Sequence, residues 1–94
     1  MARSVGIVEC NCLADVVAAA DRMVKTAAVR LVRRENIGDA RVSLSIEGDT
    51  DEVERALEAA KQSAPAGLTT TLISNIDSRV LNLFDLPGGR FWNP

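Results

Sequence analysis

Cys10 and Cys12 stand one residue apart and are the only thiols in the chain. At a strand-to-helix bend the helix N-terminus favours a thiolate. Such a pair can act as a redox dithiol or donate two ligands to a metal. Two sulfurs do not complete a tetrahedral site, and the sequence has no histidine to add a ligand or to serve as base for a nucleophile. The competing reading, two reduced thiols in a reducing compartment, is the preferred one. No cofactor is expected, and the missing imidazole weighs against an enzyme.

The other chemically suggestive residues are scattered. Asp39 lies in Glu35-Asn36-Ile37-Gly38-Asp39-Ala40, a tight polar link. On residue type alone it is a turn residue bonding its own backbone. Lys25 falls near the end of a helical run, where the helix dipole favours a cation. Arg33-Arg34-Glu35 reads as a solvated strand end or a subunit contact. Phe91 and Trp92 are two of only three aromatics. A frayed terminus is the bland reading, but large aromatics are typical interface anchors, so the tail is expected to dock on its own subunit or a neighbour.

The elements that position these residues follow from hydrophobic period. Ser4 to Glu9 reads as a strand carrying Val5, Ile7 and Val8, with Asn11 as cap of the helix that follows. In that helix Leu13, Val16, Val17, Ala20, Met23, Val24 and Ala27 recur at steps of three and four, a wide apolar stripe. Val29 to Arg34 and Arg41 to Ile46 read as paired strands, the second alternating Val42, Leu44 and Ile46 with Arg41, Ser43 and Ser45. Gly38-Asp39 supplies the turn chemistry of a hairpin. Asp49 with Glu52 suggests a capping box for a second helix whose core face is Val53, Ala56, Leu57 and Ala60. Pro65, Ala66 and Gly67 end it. Leu68 to Ile73 is a fourth strand, with Leu68, Thr70 and Leu72 on one side. Asp77 is placed to cap a third helix through Leu83, carrying Val80, Leu81 and Phe84.

The order strand, helix, strand, strand, helix, strand defines the α/β (α+β) class, a ferredoxin-like βαββαβ domain. Its sheet is expected to be antiparallel, with both main helices on one face and an extra C-terminal helix. The other face must be polar, covered by the last helix, or buried against a neighbour.

Bulk properties bound the function. A single domain of 94 residues buries only about 60–70% of its unfolded surface, so self-association would add stability. The net charge is −2, with mixed signs and no basic block, which argues against a nucleic-acid partner. No apolar run is long enough to cross a bilayer and no leader is evident, so no membrane partner and a cytoplasmic location are expected.

Val5-Gly6-Ile7-Val8-Glu9, Leu13-Ala14, Ala19-Ala20-Asp21-Arg22-Met23-Val24-Lys25 and Glu35-Asn36-Ile37-Gly38 together resemble the hexameric shell proteins of bacterial microcompartments. The likeness runs from Ser4 to about Ile73 and includes Gly48-Asp49. It implies a shell domain of the BMC type over residues 1–85, with its core at 4–76 and a tail at 86–94. It further implies a structural role without catalysis. Homohexameric discs would tile with other shell proteins into a sheet that encloses enzymes and controls which metabolites cross. Carried over by position, Ile37, Gly38, Asp39 and Ala40 would line a central pore, and Lys25 would contact the neighbouring disc.

The chain departs from the family pattern at several points. Asp39 stands where a small neutral residue is usual, and Ala40 replaces a second glycine. Ala28 and Ile76 replace polar residues of the rim, which weakens the expectation of flat tiling. Two other readings compete: a ferredoxin-like small-molecule-binding regulatory domain, and a redox or iron–sulfur subunit built on Cys10 and Cys12.

Overall fold

A computed structural model describes residues 3–38, 40–63 and 67–81. Strand β1 (Arg3–Cys10) leads into helix α1 (Leu13–Thr26), and the strands β2 (Arg30–Gly38) and β3 (Arg41–Asp49) follow as a hairpin. Helix α2 (Thr50–Ser63), strand β4 (Thr69–Ile73) and a single helical turn, α3 (Ser78–Leu81), complete the described chain. The sheet order is β2-β3-β1-β4, and every neighbouring pair is antiparallel.

Alternation along the two central strands sorts the residues onto two faces. Gly6, Val8 and Cys10 of β1, with Val42, Leu44 and Ile46 of β3, point toward the helices. There they meet Val16, Ala19 and Met23 of α1 and Val53, Ala56, Leu57 and Ala60 of α2. Met23, Ile46, Val8, Val16 and Val53 are fully buried, each contributing about 1.5–3 kcal/mol of transfer free energy. Small residues set how closely the layers approach. A β-carbon added at Gly6 would sit 2.9 Å from Val53 Cγ1 and 3.1 Å from both Ile46 Cγ1 and Leu57 Cδ2, so α2 rests on bare backbone.

The helix-free face is polar, and ion pairs organise it. Across strands Arg3 and Arg30 converge on Glu47 and Arg41 lies 3.7 Å from Glu9, while within β2 Arg33 pairs with Glu35 at 3.3 Å. Val5 is buried on this face between its register partners Glu47 and Ile73.

Several local expectations need correction. Strand β2 continues through Glu35, Asn36 and Ile37 to Gly38, so most of the expected link is strand, carried by irregularities between Leu31 and Arg33 and between Asn36 and Gly38. Asn11 does not cap α1: Cys12 holds the N-cap position without a side-chain bond, and Asn11 Oδ1 lies 3.9 Å from Cys10 Sγ. The capping box is not formed as expected. Glu52 Oε1 accepts the Ala28 N–H at 2.8 Å, bracing the link between α1 and β2, and Asp49 Oδ1 is buried without a partner. Asp77 does cap the last turn, its Oδ1 accepting the Arg79 N–H at 2.8 Å. The expected continuation of that helix to Leu83 and Phe84 lies outside the described residues.

Candidate functional site

The hairpin closes tightly. Gly38 pairs with Arg41, which leaves residues 39–40 as the connection. Its geometry depends on left-handed backbone on either side of residue 39: φ is +97° at Gly38 and +62° at Ala40. Glycine adopts such angles at no steric cost, whereas alanine is strained there by its β-carbon. A β-carbon at Gly38 would meet nothing within 4 Å, so the turn projects into open space. Ile37 beside it is 45% exposed. Asp39 itself lies outside the described residues. Arg41, at the base of the turn, has its guanidinium directed at Glu9 of β1.

The remaining residues singled out by sequence do not gather at one point. Lys25 sits in the last turn of α1, exposed, with Nζ 2.9 Å from Asp21 Oδ2 one turn earlier. Ala28 is exposed just beyond, its N–H held by Glu52. Ile76 is half-buried, its N–H donating to the Arg3 carbonyl at 2.8 Å. Cys10 is buried on the helix side, with Sγ 3.9 Å from Asp15 Oδ2, and Cys12 is exposed. Among the described residues no three of His, Cys, Asp and Glu come together as a metal site. Phe91 and Trp92 lie outside the described residues.

What the sequence did not single out is the exposed apolar surface. Leu13, Val17 and Val24 belong to the α1 stripe expected to face the core, yet all three are exposed, Val17 by 56%. Leu31 on β2 is 44% exposed. With Val16, Ala20 and Leu44, Val17 and Leu31 line an open apolar groove of about 360 Å³ between α1 and the β2 edge. The signal was the width of the stripe. One helix resting on one sheet covers only part of a face that broad.

A four-stranded antiparallel sheet in the order β2-β3-β1-β4 with both helices on one face is a ferredoxin-like α+β domain. Within that class, residues 4–77 match the BMC domain, and the chain belongs to this family of bacterial microcompartment proteins. Among its relatives, the carboxysome shell protein CcmK2 of Synechocystis sp. is 42% identical over 64 residues, covering 68% of this chain and 62% of that protein. The carboxysome shell protein CcmK1 of Thermosynechococcus vestitus is 46% identical over 59 residues, covering 63% of this chain and 52% of that protein. A crystal structure of a microcompartment protein from Desulfitobacterium hafniense DCB superimposes with a TM-score of 0.83 at 28% identity, covering 89% of this chain and 47% of that one. The matched segments span about three fifths of the CcmK2 relatives' length.

Proposed function

We propose that this chain is a structural shell protein of a bacterial microcompartment, a building block and not a catalyst. Copies close into a homohexamer around the turn formed by Ile37, Gly38, Asp39 and Ala40, which lines a central pore for metabolites. The hexamers join other shell proteins around encapsulated enzymes in the cytoplasm. The match of residues 4–77 to the BMC domain carries this reading.

The surface of the isolated chain supports it. Val17 and Leu31 are exposed side by side on one apolar groove, and contiguous apolar surface marks sites of association. The hairpin tip has open space around it, as a turn facing an axis requires. Lys25 lies exposed at the end of α1, available for a contact between discs. Ala28 and Ile76, at the rim positions that the resemblance assigns, offer no polar side chain of their own, so contacts at the rim are weaker than the ring. Cys10 and Cys12 fit reduced thiols, one packed in the core and one facing solvent. Phe91 and Trp92 are assigned to docking of the tail against the same or a neighbouring subunit.

Electron microscopy of the purified protein tests the reading. Discs with a central hole are the expected result. A protein that remains monomeric, or an assembly with the 37–40 turn on its outer circumference, would overturn it.

A further inference from the structure

Part of the helix-free face is buried although no helix rests on it. Val5 on β1 is 0% exposed, Ser45 on β3 is buried, and the Arg33 side chain on β2 is 14% exposed. Arg33 is the register partner of Ser45, and Val5 that of Glu47 two residues further along β3. The buried patch therefore crosses β2, β3 and β1. On β4, Thr69, Thr71 and Ile73 face the same way and are exposed. A face left open to water would expose both sets alike.

The burial belongs to one copy by itself, so the cover comes from the same chain. Arg3 and Arg30 are turned to Glu47, and each is about half exposed. Arg79 and Val80 of α3 are exposed. Met1 and Ala2, at no more than about 3.6 Å per residue, are too short to cross three strands. The cover lies beyond α3.

The chain is well placed to supply it. After β4 it passes the start of β1, where the Asn75 N–H donates to Ser4 Oγ at 3.1 Å and the Ile76 N–H to the Arg3 carbonyl at 2.8 Å. Residues 82–94 include Leu83, Phe84, Leu86, Phe91 and Trp92, and Asp85 is their single acid. Asp85 comes nine residues after Ile76, about 14 Å along a helix and about 30 Å when extended. From β1 to β2 is two strand spacings, about 10 Å, so the whole patch is within reach. The apolar side chains gain by burial, and a carboxylate suits guanidiniums withdrawn from water.

We propose that residues 82–94 fold back as a strap across the helix-free face of their own subunit. Leu83 and Phe84 lie over Val5, and Asp85 faces Arg30 and Arg33. The Val17–Leu31 groove, on the helix side, stays open for association. While the strap is seated, the arginines of this face are withheld from any other partner.

Trp92 is the only tryptophan, so moving it creates a local probe. The full chain carries Phe84→Trp, Trp92→Phe and Cys12→Ser, with a nitroxide attached through Thr71→Cys on the helix-free face or Glu58→Cys on α2. Thr71 and Glu58 are exposed and Cys10 is buried, so the label goes to the introduced thiol. The expected result is severalfold quenching of the indole at position 84 from position 71 and little from position 58. Equal or stronger quenching from position 58, or none from either, overturns the strap. Asp85→Lys is expected to cut the quenching severalfold, and unchanged quenching overturns the placement of Asp85. Labelled copies without tryptophan, refolded with unlabelled copies that carry the indole at position 84, show whose tail it is. Quenching as strong in that mixture as in the labelled indole protein overturns docking on the same subunit, and its absence supports it. Circular dichroism melting checks that each variant folds, and Leu83→Trp gives a second probe position. Absence of discs in electron microscopy would bear on the shell reading and leave the strap untouched.

Discussion

Glu47 Oε1 accepts hydrogen bonds from Arg30 Nε at 2.9 Å and Arg30 Nη2 at 2.6 Å, across a register pair of β3 and β2. Arg3 Nη2 reaches the other carboxylate oxygen at 3.3 Å from β1 on the far side. A side chain only 5% exposed thus ties three strands together on the helix-free face. Burial pushes the Glu47 carboxyl up, but the hydrogen bonds and charges of Arg30 and Arg3 outweigh it and hold the pKa below its ordinary 4.5.

The sign of the pH dependence follows. A carboxylate with a lower pKa in the folded than in the unfolded chain adds stability above the unfolded value and loses it as pH falls through the folded one. Glu47→Gln is expected to cost about 2 kcal/mol at neutral pH, trimmed because both guanidiniums are half-exposed and screened by water. The gap from the unmodified chain should shrink as the pH drops below the ordinary carboxylate range. Urea midpoints measured at neutral pH and in acid check this, and a gap that is constant with pH would contradict it.

Gly6→Ala tests the seating of α2. The added methyl meets Val53 Cγ1 at 2.9 Å, and a β-branched side chain on a helix has little rotamer freedom to retreat. The substitution is expected to destabilise the fold by about 1–3 kcal/mol through overpacking, read as a lower urea midpoint. An unchanged midpoint would show that α2 can lift from the sheet without cost.

The features legible in the sequence were those set by local period. Val53, Ala56, Leu57 and Ala60 gave the buried face of α2, and all four are buried. Val42, Leu44 and Ile46 gave the inward face of β3. Features set by tertiary competition were not legible. Glu52 was read with Asp49, three residues away, but bonds Ala28 across the fold. Leu13, Val17 and Val24 share the helical period of the core residues, and period cannot separate a face buried in one chain from a face left for a second. The extension of β2 to Gly38 escaped notice because Glu35 and Asn36 are polar, and pairing with β3, not side-chain type, makes them strand. The meaning of the turn at 37–40 came from resemblance, since residue types there specify only a hairpin.

Ala40 holds φ at +62°, where its β-carbon crowds the backbone at about 1–2 kcal/mol. Ala40→Gly relieves that strain but makes the unfolded chain more flexible, an opposing effect of about 0.4–1 kcal/mol. The net expectation is a stabilisation of up to about 1 kcal/mol, with Ala40→Val destabilising because a β-branched residue tolerates this conformation less well. Paired urea titrations of the three proteins give the ranking. A glycine variant less stable than the alanine protein would mean that the turn relaxes away from the left-handed region.

Asp39→Ser probes the pore in the ring reading. Carboxylates from every copy would crowd one axis, raise one another's pKa values and titrate as a coupled set. An ionised ring of this kind favours cations and disfavours small anions. The Arg41 guanidinium at the base of the turn lies 3.7 Å from Glu9 Oε1. Serine is also a turn-favouring residue and carries no charge, so disc size should be unchanged while the flux ratio of cationic to anionic probes of equal size falls. Electron microscopy verifies the discs, and probe entry into assembled shells measures the ratio. Discs of normal size with the same ratio in both proteins would remove Asp39 from the selectivity of the opening and leave it a turn residue alone.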